Sequence, residues 1–100
     1  MKCVLITGAG KRIGFSCVER MAKNKNTKVI AVSRTKQDLI PFAKFKNVFT
    51  FVGDVNSSIT VKRIFDFAKR KKIIINKLVN NAGVRQRKSF LKISNKEIYD

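Results

Sequence analysis

Short apolar runs alternate with longer amphipathic stretches along this chain. The apolar runs cover residues 2–6, 28–33, 47–52 and 74–79, and each is nearly continuous rather than alternating with polar residues. Runs of this length and pattern are typical of strands that are buried on both faces of a parallel sheet. The sequence therefore predicts four β-strands.

Helices are predicted between these strands. The clearest one has an apolar stripe at positions i, i+3, i+4 and i+7, formed by Val61, Ile64, Phe65 and Ala68. Ser57 or Ser58 can cap its N-terminus. Residues 13–23 are predicted as another helix, and residues 38–45 as a short helix with Pro41 near its first turn.

This β-α-β-α-β-α-β order predicts the fold class. Strands that alternate with helices form parallel sheets through crossover connections, which indicates an open α/β fold, a Rossmann-type doubly wound parallel sheet. About four strands are present, so the sheet is incomplete, and we expect residues 1–100 to form the N-terminal part of a single domain. Ligands of such sheets bind at the carboxyl ends of the strands.

A glycine-rich turn follows the first predicted strand. Residues 7–14 read Thr-Gly-Ala-Gly-Lys-Arg-Ile-Gly, with glycines at Gly8, Gly10 and Gly14. Small residues let the backbone approach a pyrophosphate, towards which the N–H groups of the next helix point. The spacing departs from G-x-G-x-x-G because position 13 is Ile, and a tight turn that needs positive φ remains an alternative explanation.

Ser33, Arg34 and Thr35 follow the second strand. Proteins that bind unphosphorylated NAD usually carry an acidic residue here, which accepts a hydrogen bond from the ribose 2′-hydroxyl. A guanidinium can instead hold a 2′-phosphate through two hydrogen bonds, and Lys11 adds a second positive charge. The pattern favours NADP, although Arg34 could also be one more solvated cation of a very basic chain.

Two more clusters follow the third and fourth strands. Asp54-Val55 comes after the third strand. The Asp54 carboxylate could cap the next segment or accept a hydrogen bond from an adenine amino group. Asn-Asn-Ala-Gly at residues 80–83 follows the fourth. Its amides could join neighbouring backbone segments, and Ala82 and Gly83 leave room for a flat ligand, although a plain turn would explain the sequence equally well.

Together these clusters resemble the classical short-chain dehydrogenase/reductase family over essentially the whole chain. Residues 7–14 resemble the family's T-G-x-x-x-G-x-G turn, residues 53–55 resemble its adenine-ring motif, and residues 80–83 are identical to its N-N-A-G motif. The resemblance implies an NADP-binding domain of an oxidoreductase that reduces carbonyls or oxidises alcohols by hydride transfer.

The resemblance also implies roles for individual residues. The expected cofactor-binding residues are Gly8, Gly10, Lys11, Arg12, Ile13, Gly14, Ser33, Arg34, Thr35, Asp54, Val55, Asn81, Ala82 and Gly83. In this scheme the glycine-rich turn holds the pyrophosphate, with Ile13 near the nicotinamide end. Lys11 and Arg34 flank the 2′-phosphate, while Asp54 and the Val55 backbone address the adenine. Asn81 lies beside the cofactor.

The chain departs from the family pattern in two places. Arg12 stands where most members of the family have their middle glycine. An arginine at this place resembles pteridine reductases, in which the arginine reaches towards phosphate and substrate. The family's catalytic Ser, Tyr-x-x-x-Lys pair and Asn have no counterparts in this chain, and we expect them after Asp100. Tyr99 has no Lys four residues later and is interpreted as a packing residue, so no catalytic residue is predicted here.

Composition narrows the classes of function and site that the chain could have. The chain has 23 Lys and Arg, six Asp and Glu, and a formal charge of +17. The cations are scattered, so we do not expect nucleic acid as the main partner, although a basic nucleic-acid-binding domain remains an alternative. Without His, no His-based acid/base or zinc site is expected, and Cys3 and Cys17 are interpreted as buried reduced thiols.

The sequence also supports expectations about where the protein is located and whether the chain is part of a longer one. The apolar runs are too short to cross a bilayer, and the N-terminus does not resemble a signal peptide, so we expect a cytoplasmic protein without a membrane partner. Ser94-x-x-Glu97 resembles a capping box, which indicates a helix starting as the chain ends. We therefore expect a piece of a longer, homo-oligomeric reductase with a small-molecule substrate; a natural truncation that binds nucleotide without catalysis is the alternative.

Overall fold

Four parallel strands form one sheet in the computed structural model, which describes residues 2–10 and 12–80. The strands are β1 (Lys2–Thr7), β2 (Thr27–Ser33), β3 (Val48–Val52) and β4 (Lys77–Asn80). Their order in the sheet is β3-β2-β1-β4, and every neighbouring pair is parallel. The predicted parallel α/β sheet is confirmed.

Three helices and one 3₁₀ helix connect the strands. They are α1 (Arg12–Ala22), α2 (Lys36–Leu39), the 3₁₀ helix (Ile40–Lys44) and α3 (Ser58–Arg70). The ends of α1, β2 and β3 fall within one residue of the sequence prediction. In the described part of the chain, no helix is long and apolar enough to span a membrane.

The sheet is covered on both faces because its strand residues alternate between two clusters. Val4 and Ile6 of β1 pack in the cluster that contains Val18 of α1. Cys3 and Leu5 point the other way, into the cluster formed with α3 through the following residues: Val61, Ile64 and Phe65. Since α1 and α3 lie on opposite faces, the sheet is doubly wound, as the sequence predicts.

The prediction of one helix over residues 38–45 was wrong in its type. Helix α2 ends at Leu39, and a 3₁₀ helix with Pro41 in its first turn continues to Lys44. Proline has no N–H to donate and its ring collides with the carbonyl four residues earlier, so it breaks or kinks an α-helix at such a position. The tighter segment still buries Phe42, whose ring centroid lies 4.8 Å from that of Phe15.

The fourth strand begins later than predicted. We expected it over residues 74–79, but β4 begins at Lys77, and Ile74 is 74% exposed. The segment before β4 is apolar in sequence without entering the sheet, because helix α3 ends in a turn that returns the chain to β1. Composition alone does not distinguish such a segment from a strand.

The end of α3 explains where that return begins. The N–H of Ile73 donates to the carbonyl oxygen of Ala68 at 2.8 Å, and that of Lys72 to Lys69 at 3.1 Å. These two hydrogen bonds form a Schellman motif. Lys72 has φ of 56°, the left-handed conformation that this motif requires and that usually belongs to glycine.

The start of α3 differs from the prediction in one respect. Ser57 is the residue that precedes the helix, as expected, but its hydroxyl makes no capping hydrogen bond. The backbone N–H of Ser57 donates instead to the carbonyl oxygen of Asp54 at 2.9 Å. The turn before α3 is thus held by its backbone rather than by a serine side chain.

Candidate functional site

The strand ends that the sequence singled out lie along one edge of the sheet. Thr7, the last residue of β1, is paired with Val32 of β2 and with Asn80 of β4. Ser33 at the end of β2 is paired with Val52 at the end of β3. Because β2 and β4 lie on opposite sides of β1, the strand order reverses there, which is where ligands of such sheets bind.

The glycine-rich turn starts from β1 and is tied to β2. Gly8 has φ of 62°, a conformation that glycine adopts without a steric penalty. The N–H of Ala9 donates to the carbonyl oxygen of Val32 at 3.0 Å. A side chain at Gly10 would collide with Asp38, since a Cβ there would overlap the Cβ, Cγ and Oδ2 of Asp38. The local geometry therefore favours glycine at both positions.

Helix α1 starts directly after this turn, with its N-terminus at the strand-end edge. Its first turn contains no acidic residue, so no side chain of α1 itself offsets the positive end of the helix dipole there. Ile13 is 71% exposed and Gly14 is buried. The free N–H groups at such a helix start are suited to an anion.

A hydrogen-bonded group organises the end of β2. The Ser33 hydroxyl, which is buried, donates to Asp38 Oδ2 at 3.1 Å and accepts from the Thr35 N–H at 3.2 Å. Arg34 and Thr35 are exposed. Asp38 was not among the expected site residues, and no motif of the sequence indicates its contact with Ser33.

The end of β3 continues the same edge. The N–H of Gly53 donates to the carbonyl oxygen of Ser33 at 2.9 Å, so β3 stays paired with β2 beyond its last strand residue. Asp54 Oδ1 accepts from the Asn56 N–H at 2.9 Å. Val55 is buried in the cluster under α3. The Asp54 carboxylate thus stabilises the turn through one oxygen, which is the capping alternative that the sequence left open.

Some expected site residues lie outside the described residues. They are Lys11, Asn81, Ala82 and Gly83. Arg12 is described as the first residue of α1. The structure brings the remaining members of the set to one edge of the sheet: Gly8, Gly10, Ile13, Gly14, Ser33, Arg34, Thr35, Asp54 and Val55.

The cysteines lie apart from this edge. Both are free thiols; Cys3 is fully buried, whereas Cys17 is only half-buried, which corrects the expectation that both are buried. Burial raises the pKa of the Cys3 thiol to about 11, although the positive charge of Lys28 acts in the opposite direction. Such a thiol stays protonated and unreactive near neutral pH. Across residues 2–10 and 12–80, no group of His, Cys, Asp and Glu could hold a metal ion.

Positive charge dominates the described surface. The structure records one ion pair among the described residues, between Lys62 Nζ and Asp66 Oδ2 at 3.9 Å, and both side chains are largely exposed. An exposed pair of this kind contributes little to stability. The remaining positive charge, part of a total of +17, favours the approach of anionic ligands.

Known proteins with similar sequences are oxidoreductases. An uncharacterized oxidoreductase of Saccharomyces cerevisiae is 29% identical over 94 residues, covering 94% of this chain and 30% of the relative. The 3-oxoacyl-[acyl-carrier-protein] reductase FabG of Buchnera aphidicola is 30% identical over 98 residues, covering 96% of this chain and 40% of the relative. This chain therefore spans less than half the length of these relatives.

Solved structures share the fold. A short-chain dehydrogenase/reductase from Saccharomyces cerevisiae matches with a TM-score of 0.86 and 25% identity, covering 98% of this chain and 49% of that protein. A 4-hydroxyisoleucine dehydrogenase, solved in complex with NADH, matches in fold with a TM-score of 0.77 and 19% identity, covering 99% of this chain and 49% of that protein.

The family comparison agrees with the arrangement of the strand ends. The model of the short chain dehydrogenase family matches residues 2–100, nearly the whole sequence. The parallel sheet, the glycine-rich turn at its switch point and this match all point the same way, and the chain belongs to the short-chain dehydrogenase family.

Proposed function

We propose that this chain is the cofactor-binding part of an NADP-dependent oxidoreductase that interconverts carbonyls and alcohols. Members of the short-chain dehydrogenase family bind nicotinamide cofactors, and the chain matches that family over residues 2–100. When bound, the nicotinamide supplies or accepts the hydride of such reactions. The finer assignment to NADP rests on the residues at the end of β2.

The observation that carries the proposal is the placement of Arg34. Its side chain is exposed immediately after Ser33, the last residue of β2. This is the place where an NAD-binding protein usually presents an acidic residue to the ribose. A guanidinium there attracts a 2′-phosphate and can donate two parallel hydrogen bonds to its oxygens.

The turn from Gly8 to Gly14 is proposed to hold the pyrophosphate. The positive φ of Gly8 and the absence of a Cβ at Gly10 let the backbone bend closely around the start of α1. No acidic side chain stands in the first turn of α1 to repel an anion. The residues present therefore fit a dinucleotide phosphate group, with Ile13 exposed next to it.

The adenine and nicotinamide ends are assigned by the family resemblance. Asp54 and the backbone of Val55 would address the adenine, and the hydrogen bond to Asn56 leaves the second carboxylate oxygen of Asp54 for that contact. The resemblance also assigns Asn81, Ala82 and Gly83 to positions beside the cofactor. Lys11 would add positive charge near the 2′-phosphate.

The complete protein is proposed to act on a small molecule and to form a homo-oligomer. No residue of this chain is assigned to proton transfer, because the family's Ser and Tyr-x-x-x-Lys pair have no counterparts among its residues. Arg12 is the one candidate for a contact with substrate as well as phosphate. A downstream Tyr-x-x-x-Lys in the coding sequence would supply the missing chemistry.

Separate titrations of the complete protein with NADPH and NADH test this function. We expect tighter binding of NADPH, and we expect Arg34→Asp to weaken NADPH binding about tenfold or more while it changes NADH binding far less, because the new carboxylate repels the 2′-phosphate. Fluorescence of the reduced nicotinamide reports both affinities.

Arg70→Asp is the matched control. Arg70 is also exposed, but it is the last residue of α3, whereas the strand-end edge lies at the start of that helix. This variant makes the same change in net charge and should leave the ratio of the two affinities unchanged. Equal effects of Arg34→Asp on NADPH and NADH would remove Arg34 from the phosphate site, and no binding of either dinucleotide would refute the proposed function.

A further inference from the structure

We propose that Asp38 is a second specificity-determining residue, which opposes Arg34 and limits the preference for NADPH over NADH. The inference rests on the proposed function, because it concerns the same dinucleotide. Asp38 belongs to none of the family motifs in this chain. The inference rests on three contacts at the end of β2, which join Asp38 to Ser33, Asp38 to Gly10, and Ser33 to Thr35.

Asp38 joins two of the segments that form the strand-end edge. It lies in α2, directly after β2, and its Oδ2 accepts the hydrogen of the Ser33 hydroxyl at 3.1 Å. The Asp38 side chain also packs against the backbone of Gly10, so closely that a Cβ on Gly10 would collide with its Oδ2, Cβ and Cγ. The carboxylate therefore lies between the end of β2 and the glycine-rich turn.

This contact determines what Ser33 can offer to a ligand. A serine hydroxyl has one hydrogen to donate, and here that hydrogen is directed to Asp38. The Ser33 oxygen also accepts from the Thr35 N–H at 3.2 Å. While this arrangement holds, Ser33 cannot donate to a phosphate oxygen, and Arg34 is the only group of the Ser33-Arg34-Thr35 segment whose side chain carries positive charge.

The negative charge of Asp38 also disfavours the 2′-phosphate of NADPH. Asp38 is half-buried, which reduces the screening of its charge by water compared with a fully exposed side chain. A carboxylate accepts hydrogen bonds from ribose hydroxyls but repels a phosphate. Asp38 thus provides the acidic group that NAD-binding proteins place at this strand end, although it reaches the site from α2 rather than from the end of β2.

Two substitutions separate the charge from the hydrogen bond. Asp38→Asn removes the charge but keeps an oxygen that can accept from Ser33, whereas Asp38→Ala removes both. We expect Asp38→Asn to raise the ratio of NADPH to NADH affinity roughly threefold to tenfold, the range for removing one charge near a protein surface. Asp38→Ala should raise the ratio too, because Ser33 also becomes free to donate.

Calorimetry on the complete protein with 2′,5′-ADP and 5′-AMP measures the effect on the adenosine half alone. Asp66→Asn is the control: Asp66 lies in α3, where its contact is with Lys62, and its loss changes the net charge equally. We expect this variant to leave the ratio of the two affinities unchanged.

The outcomes separate this inference from the proposed function. If the unmodified protein binds NADPH and NADH but Asp38→Asn leaves their ratio unchanged, Asp38 has no part in specificity. If Asp38→Asn and Asp38→Ala weaken both dinucleotides equally, Asp38 is a structural link only, which also overturns the inference. If neither dinucleotide binds the unmodified protein, the proposed function itself fails.

Discussion

Asn76 pairs with Cys3 through two hydrogen bonds that fix how β4 joins β1. The backbone N–H of Cys3 donates to Asn76 Oδ1 at 3.0 Å, and the backbone N–H of Asn76 donates to the carbonyl oxygen of Cys3 at 2.9 Å. The strand that follows is then in register, with Asn80 opposite Thr7. The pair thus fixes the register in which β4, which ends at Asn80, pairs with β1.

Asn76→Ala should lower the free energy of unfolding by about 1 to 2 kcal/mol, because the backbone N–H of the buried residue Cys3 loses its acceptor. Asn76→Asp keeps an acceptor oxygen at this position, so its free energy of unfolding should fall by less. Urea unfolding followed by circular dichroism measures both changes.

Asn56→Ala serves as the control for this comparison. Asn56 is exposed, and the hydrogen bond recorded for it uses its backbone N–H rather than its side chain. Its replacement should change the free energy of unfolding by less than about 0.5 kcal/mol. An Asn76→Ala variant as stable as Asn56→Ala would show that the side-chain hydrogen bond does not stabilise the register.

Lys72→Gly should stabilise the protein. Lys72 adopts a left-handed conformation at the end of α3, which costs an ordinary residue about 1 kcal/mol relative to glycine. The Schellman hydrogen bonds are made by the backbone and remain after the substitution. We expect the midpoint of thermal unfolding to rise by a few degrees.

The neighbouring lysine offers a close comparison. Lys71 has φ of −86° and ψ of 0°, a conformation open to any residue, so Lys71→Gly gains nothing and adds chain entropy to the unfolded state. Both variants remove one positive charge from the same turn. If both substitutions raise the unfolding midpoint, the gain at Lys72 comes from the loss of charge and not from backbone conformation, and a fall for Lys72→Gly would contradict the prediction.

The buried Cys3 thiol should make stability fall at alkaline pH. Its pKa is about 11 in the folded protein, against an ordinary value of 9.0. Between these values the unfolded chain releases the proton while the folded protein keeps it, so unfolding becomes easier as pH rises through this window. Below the ordinary value, the Cys3 thiol adds no pH dependence.

Cys3→Ser isolates this contribution, because serine does not titrate in this range and all other groups are shared. We expect the difference in unfolding free energy between the unmodified protein and Cys3→Ser to shrink by up to about 1.4 kcal/mol per pH unit in that window. Unfolding curves at several pH values measure this difference. Parallel pH profiles of the two proteins would mean that Cys3 ionises equally in both states.

The sequence predicted those parts of the fold that follow from periodicity. The apolar runs located β1, β2 and β3, and the stripe that includes Val61 and Ile64 gave the buried face of α3. Periodicity did not distinguish the exposed Ile74 from a strand residue, because an apolar side chain in a connecting segment reads the same as one in a sheet.

The candidate site was predictable to a similar extent. The glycine-rich turn and Arg34 were recognisable because each directly follows a strand. Asp38 was not, because its part in the site depends on a turn that brings the first residues of α2 back to Ser33 and Gly10. Contacts of this kind are set by tertiary packing, which a single sequence does not reveal.

The strand order β3-β2-β1-β4 has a consequence for synthesis of the chain on the ribosome. One edge of β1 can pair with β2 soon after translation begins, but the other edge can pair only after β4 has been synthesised. Cys3 and Asn76, which hydrogen-bond at this second edge, are 73 positions apart. At typical elongation rates this interval lasts about 4 to 15 s. During that time the nascent chain presents an unsatisfied strand edge, so this step is where we expect chaperone engagement or misassembly to begin.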